Sequence, residues 1–396
     1  MDIIIVGAGA SGLVAAIKAK NKYNNVVVLE KNNTCGKKLL ITGAGKCNYF
    51  NEDFTINHYR SNNLEILSNY INEENKKRVL DFFSDIGIIP TIKNGYYYPR
   101  SQMAVSIQNA LLKEAEIKGV KIINNVDVKE LKKENNKFII NGKYEADKVV
   151  IATGSKACPK TGSDGIGIEL LKPFNIEYIP FKEALVQLKT DGKNLKDWHG
   201  IRCNASIKLF DNKRFICEEY GELQLTDYGI SGICTFQISG RAINLKKPNV
   251  KINFLYDIDN YDKWISERNK KLKNRNIIEL LEGVINYKLL YALIKMAKLD
   301  DKKSFDDLSN NEKESLKQIL TNLKLNIIGH NDFEKAQVCQ GGIKLTEVNE
   351  NFELKKVDGL YVIGELLDVD GDCGGYNLGF AFLSAIYVGE DIRDKN

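Results

Sequence analysis

Asp2-Ile-Ile-Ile-Val6-Gly7-Ala8-Gly9-Ala10-Ser11-Gly12, followed by Leu13 to Lys20 and then Val26-Val-Val-Leu29-Glu30, decides how this chain folds. The apolar, β-branched run Asp2–Val6 suits a strand buried on both faces, and Val26–Leu29 repeats the pattern. Between them, small and apolar residues recur at helical spacing. Strand, glycine turn, helix, strand and terminal acid is the order a dinucleotide site requires. Gly7 permits the tight turn, and Gly9 lets the backbone approach a pyrophosphate. Gly12 lets the helix pack close to the strand, and Glu30 can accept hydrogen bonds from a ribose. Free N–H groups and the positive end of the helix dipole face the phosphates. An acid at position 30 disfavours a 2′-phosphate, so the bound adenosine belongs to FAD or NAD rather than NADP.

The 396 residues, 43% hydrophobic and 28% charged, give room for two or three domains of an ordinary globular protein. The net charge of +5 is spread widely, which is compatible with RNA binding without arguing for it. The apolar N-terminus lacks a basic leader and a cleavage site, and no run reaches transmembrane length. The expectation is a cytoplasmic protein with no membrane partner. The eight cysteines are then reduced thiols. None forms a C-x-x-C pair and there are three histidines (His58, His199 and His330), so no metal is expected.

Lys31 to Asn51, with Gly36, Lys37, Lys38, Gly43, Gly45, Lys46, Cys47 and Asn48, reads as a polar loop able to wrap an anion. Asn75 to Ile86 is helical. Tyr96-Tyr-Tyr-Pro99-Arg100 is extended, and Ser101 is placed to cap the helix that follows. Asn141-Gly142 marks a hairpin. Lys148-Val-Val-Ile151 is a buried strand that runs into Ala152-Thr153-Gly154, which sets backbone beside the dinucleotide. From Ala184 to about Val250 alternation suggests an antiparallel barrel or sandwich, with strands such as Leu185–Leu188, interrupted by a polar turn at Thr226–Gly232. Trp264 to about Leu325 is lysine-rich and helical. Its charges suit either a solvated face or contact with RNA phosphates. Gly359-Leu-Tyr-Val-Ile-Gly364-Glu365 is again a strand, and Gly374-Gly375-Tyr376-Asn377-Leu378 opens a buried helix whose N–H groups can face an electron-rich ring. Both ends of the chain therefore build one α/β domain, and the middle is inserted.

Four stretches resemble the BaiN/RdsA (YhiN-like) FAD-dependent oxidoreductases: Gly7–Gly12 with Glu30, Gly36–Asn48 with Asn51, Thr161-Gly-Ser-Asp-Gly165, and Gly364–Leu378. Gly221–Gly232 supports the match in the middle. The resemblance implies a Rossmann-like FAD domain over 1–184 and 335–396. It also implies an antiparallel β-barrel over 185–255 and 326–334, and a small helical domain over 256–325. Carried over residue by residue, the FAD-binding set is Gly7, Gly9, Ala10, Ser11, Gly12, Glu30, Lys31, Lys37, Lys38, Gly43, Gly45, Lys46, Cys47 and Asn48. Val126, Ala152, Thr153, Gly154, Gly364, Glu365, Gly374, Gly375, Tyr376, Asn377 and Leu378 complete it. Lys46 stands where the family usually has arginine, which loses the planar fork.

The family's activities resemble reduction of a uridine in 23S ribosomal RNA and reduction of conjugated enones in bile-acid intermediates. Both pass a hydride to an electron-poor C=C bond and a proton to its neighbour. Cys47 is one candidate proton donor, or else a small residue packed against FAD; Cys373 is the alternative. Tyr97 and Arg100 are candidates to stack a base and hold a phosphate, or else belong to a half-buried strand. There is no second glycine fingerprint, so NADPH or NADH would visit the flavin transiently. Three readings follow: a 23S rRNA dihydrouridine synthase, a small-molecule enone reductase, and a flavin-binding protein without turnover.

Overall fold

A computed structural model describes residues 1–192 and 195–395. They form two compact units, Met1–Glu183 with Ala336–Asn396 and Ala184–Lys335. Each has its own hydrophobic core.

The first unit is built on a parallel sheet ordered Leu360–Val362, Lys148–Ile151, Asp2–Val6, Asn25–Leu29, Lys121–Ile123. Its central strands are β-branched and buried on both faces, as parallel strands require. The register sets Val6 opposite both Leu29 and Ile151. Three strand ends therefore stop at one level, and Gly7, Glu30 and Ala152 lie side by side at the carboxyl edge. Helix Ala10–Ala19 starts directly after Gly9, and only Ala10 and Lys18 keep appreciable exposure. It packs against the C-terminal helix Tyr376–Asp394, where a side chain on Gly389 would collide with Lys18 Cβ and lie 3.0 Å from Ala15 O.

One local expectation, the Ser101 cap, is corrected here, and another, the hairpin at Asn141-Gly142, is met. Ser101 is not the cap of helix Ala104–Ile117; Met103 holds that position, and the Ser101 hydroxyl shares a 2.7 Å hydrogen bond with that of Ser106. The hairpin at Asn141-Gly142 forms between Lys137–Ile140 and Tyr144–Ala146 with Lys143 as a third loop residue. Asn141 Oδ1 accepts from the N–H groups of Lys129 and Glu130, which anchors that loop.

The second unit contains a closed antiparallel barrel. Its strands among the described residues, in order around the barrel, are Leu188–Thr190, Gly229–Ser231, Arg214–Leu225, Arg202–Asp211, Pro248–Asn253 and Leu323–His330. The first strand begins at Leu188 rather than Leu185. Gly229–Ser231, expected within a turn, is a barrel strand: a side chain on Gly229 would overlap Leu188 O, so glycine permits the close pairing. Leu323–Leu325, expected as the end of a helix, opens a strand whose Leu323 and Leu325 point inward while Lys324 and Asn326 point out. Helices Tyr261–Lys271, Ile277–Leu281, Tyr287–Met296 and Asn310–Thr321 occupy the lysine-rich stretch.

Candidate cofactor site

The glycine turn is fixed by the sheet. Gly7 has φ +104, its N–H donates to Leu29 O at 2.8 Å, and a Cβ there would lie 2.6 Å from Ala152 O. A Cβ on Gly12 would overlap Gly7 O. Both glycines are thus demanded by protein contacts. Gly9 is different: a Cβ there meets nothing within 4 Å. The space in front of it suits a phosphate.

Glu30 is buried and held on three sides. Its Oε2 accepts from Ala8 N–H at 2.8 Å, and its Oε1 accepts from Asn32 N–H at 2.8 Å and Asn32 Nδ2 at 2.7 Å. A carboxylate offers four lone-pair directions, so one is left on Oε2 for a ribose hydroxyl. Val126 is brought beside this acid by its N–H bond to Glu30 O at 2.9 Å. The loop lysines are engaged with protein groups. Lys31 pairs with Asp164 at 2.6 Å, Lys37 donates to Asn32 Oδ1 at 3.0 Å, and Lys38 pairs with Glu365 at 2.6 Å. Ser155 also donates to Glu365, at 3.2 Å, so this carboxylate ties the Lys38 loop to the Ala152–Gly154 turn. Lys46 is exposed.

At the other end, Gly43, Ala44, Gly45 and Cys47 all take left-handed backbone, which curls the loop back on itself. Gly375 caps the C-terminal helix with φ 93, and a Cβ on it would lie 2.5 Å from Phe50 O and 2.8 Å from Asn48 Oδ1. Asn51 Nδ2 donates to Gly374 O at 2.8 Å. The Asn377 side chain, expected on the cofactor, instead pairs in both directions with the Gly371 backbone at 2.8 Å. Tyr376 is buried and its carbonyl accepts from the Tyr59 hydroxyl, while Leu378 is half-buried. A Cβ on Gly364 would lie 2.8 Å from Ser11 Oγ, so the two halves meet there.

Among the described residues, Asn48 Oδ1 and Thr153 Oγ1 are buried polar atoms without a hydrogen-bond partner. Such atoms are costly unless a bound group satisfies them. With the open space at Gly9 and the free lone pair of Glu30, they make the residues present a fit for FAD.

Two expectations change. Tyr97 is buried, edge-on to Tyr49 and Phe50 at 6.2 Å each, so it cannot stack a base; Arg100 is exposed, and the two do not form one site. Strand periodicity puts Tyr96 and Tyr98 on the other face, where Cβ atoms on Gly374 and Gly43 would lie 3.0 and 3.7 Å from their rings. Cys47 has no exposed surface, and burial pushes its thiol up to about 12, which favours the packing role. Cys373 is half-buried and its thiol is likewise pushed up to about 12, by burial and then by Asp372.

The sequence reading missed a cluster beside Cys373. His58 lies between Asp53 (2.8 Å) and Asp372 (3.0 Å), its ring stacked on Tyr376 at 4.4 Å. Arg60 contacts Asp372 and, at 3.8 Å, Asp370. Tyr59–Arg60 pairs as a short strand with Asp370–Gly371. The alternating acids of Asp368-Val-Asp370-Gly-Asp372 were the available signal.

Glycine turn, buried acid and second glycine pair on a parallel sheet define a Rossmann-type dinucleotide-binding fold. The chain belongs to the HI0933-like protein Rossmann domain family, which it matches over residues 1–391. It is 35% identical to the 3-dehydro-bile acid delta(4,6)-reductase of Clostridium scindens, over 99% of this chain and 98% of that one. It is 27% identical to the ribosomal RNA dihydrouridine synthase of Haemophilus influenzae, over 96% of each. The fold is similar to that of a flavocytochrome c3 fumarate reductase (TM-score 0.52, 16% identity, 99% of this chain and 78% of that one). It is also similar to a 3-ketosteroid-delta4-(5alpha)-dehydrogenase of Rhodococcus jostii (TM-score 0.51, 13% identity, 99% and 96%). Among the described residues no helix is long and apolar enough to cross a membrane, and no group of three metal-binding side chains occurs.

Proposed function

We propose that this enzyme reduces a C=C bond conjugated to a carbonyl, and that its substrate is a uridine of 23S ribosomal RNA, with NADPH or NADH as reductant. The observation that carries the chemistry is full-length similarity to relatives named for two such reductions, a dihydrouridine synthase and a delta(4,6)-reductase. FAD, when bound, supplies hydride transfer between a nicotinamide and an electron-poor alkene. Gly7 to Gly12 and Glu30 would hold its phosphates and ribose, and Asn48, Thr153 and the Gly374–Gly375 turn would meet its ring. Tyr96 lies beside that turn and Tyr98 beside Gly43, and both are placed to pack a planar substrate. For RNA, the run Arg268-Asn-Lys-Lys-Leu-Lys-Asn-Arg275 supplies cations with no acid among them.

Enone reduction is the second reading, favoured by the 35% identity to the bile-acid enzyme. Nucleoside mass spectrometry of 23S rRNA from cells with and without the gene separates the two. Loss of one dihydrouridine, restored by the intact gene, supports the RNA substrate. An unchanged profile sinks it, and turnover of conjugated enones by the purified holoenzyme then decides the second.

A further inference from the structure

Three lysines face one another across the outside of the barrel. In strand Arg202–Asp211, Ile207 and Leu209 are buried inward, so Lys208 and Phe210 point out. The same alternation turns Lys251 outward between Val250 and Ile252, and Lys324 outward between Leu323 and Leu325. The register sets Lys208 opposite Lys251, and Lys251 opposite Lys324. Adjacent strands lie about 4.8 Å apart, so three ammonium stems stand in one row. Like charges directly opposite each other weaken a sheet. Lys208 has a carboxylate, Glu218 at 3.6 Å, which Ser206 also holds at 2.5 Å. Lys251 is half-buried with its ammonium 5.2 Å over the Phe210 ring, and Lys324 is exposed. Neither of these two has a carboxylate partner among the described residues.

Aromatic rings bracket the row. On one side Phe215, 54% exposed, meets Phe210 edge-on at 5.8 Å. On the other side Tyr220, 59% exposed, lies opposite Ser206 and meets the exposed Tyr256 at 5.8 Å. Other acids bordering this face are already engaged. Asp211 lies 3.7 Å from Arg214, Glu222 lies 2.9 Å from Arg202, and Asp191 accepts from Asn326. Asp257, the residue after Tyr256, is exposed. A cation row with exposed rings at both ends suits a run of phosphates whose bases can swing out onto aromatic faces. A duplex keeps its bases stacked inside and offers the rings nothing.

We propose that this barrel face binds single-stranded RNA, with phosphates on Lys208, Lys251 and Lys324 and bases on the two aromatic pairs. The surface lies wholly within the unit Ala184–Lys335, and its choice of partner rests on the RNA reading above. Aligned cations cost the free barrel stability, and a bound run of phosphates removes that repulsion. The Arg268–Arg275 run carries no aromatic residue, so its charge attracts RNA without favouring unpaired bases. The barrel face combines both features, and that combination selects a single strand.

The test is fluorescence anisotropy of the FAD-loaded full chain with labelled oligouridine of about 12 nucleotides, titrated at several salt concentrations. Unlabelled oligouridine, an RNA duplex of equal length, polyglutamate and phosphatidylserine vesicles serve as competitors. Lys208→Gln, Lys251→Gln and Lys324→Gln together should weaken oligouridine binding about 30-fold and lower the slope of log affinity against log salt by about 2. Phe215→Ala and Tyr220→Ala should each weaken it about 10-fold and leave that slope unchanged. Wild-type affinity in the lysine variant overturns the barrel face and leaves the RNA reading standing. So does a loss confined to Lys270→Gln, Lys271→Gln and Lys273→Gln. Competition by polyglutamate or vesicles as strong as by oligouridine, or preference for the duplex, overturns it too. If the triple variant fails to fold, Lys324→Gln decides, because its side chain is exposed: an unchanged affinity and salt slope overturn the proposal. If the wild-type protein binds neither oligouridine nor a 23S rRNA transcript, the RNA reading falls and this face falls with it.

Discussion

At the first glycine turn, Gly7 and Gly12 are fixed by main-chain atoms of a parallel sheet, whereas the stretch Gly371–Gly374 is held by side chains of Asn377, Arg60 and Asn51, and only Gly375 after it lies against main chain, at Phe50 O. The first end is rigid because its neighbours are backbone, which cannot step aside. The second is more adjustable because, Gly375 apart, side chains of Asn51, Arg60 and Asn377 hold it. The difference teaches where binding and chemistry divide under the proposed function: the backbone end would anchor the cofactor, and the side-chain end carries titratable groups.

The largest effect should come from Gly12→Ala. Its Cβ would overlap Gly7 O, and destabilisation above about 4 kcal/mol, or no folded protein, is expected from urea unfolding. Gly375→Ala should cost less, about 2–3 kcal/mol, from left-handed strain and contact with Phe50 O, because its approach of 2.5 Å is less severe than the overlap at Gly12. Equal losses at the two sites would break the contrast. Gly9→Ala sharpens it: with no protein atom within 4 Å, folding stability should stay within about 0.5 kcal/mol of wild type. Its FAD affinity should nevertheless fall about 100-fold, or roughly 2.7 kcal/mol, read by flavin fluorescence titration. Full FAD affinity in that variant would remove the phosphate from the space before Gly9.

The smallest effect is the pH response of the side-chain end. His58 is raised above the ordinary value near 6.5, so its stabilising contribution is fully present below that pH and is lost as pH rises through the raised value. Melting temperature followed upward from neutral pH should fall more steeply in wild type than in His58→Gln. Parallel curves would deny the histidine its charge.

Most of the first end was legible in the sequence because its determinants are local. Gly7, Gly12 and Glu30 sit within one strand–helix–strand unit whose pattern fixes their neighbours. The second end was readable only as a glycine pair. That Asn377 would turn toward Gly371, and that His58 would reach Asp372, depends on pairing of Tyr59–Arg60 with Asp370–Gly371 across some 300 residues. Tyr97 shows the same limit. Its strand was evident, but which of Tyr96, Tyr97 and Tyr98 faced inward depended on a register set by Phe50 and Ile92. In the barrel, Gly229–Ser231 reads as a turn because strand pairing through glycine leaves no apolar signature.

The sheet takes its edge strand, Leu360–Val362, and its covering helix, Tyr376–Asp394, from the far end of the chain. On a translating ribosome, which adds about 5–20 residues per second, residues 184–335 emerge with all their barrel partners in hand. The opening strand–glycine–helix unit must meanwhile wait for the last sixty residues. A nascent chain that stops before Gly374 has the glycine turn at Gly7–Gly12 but neither the second glycine pair nor the helix that covers the sheet.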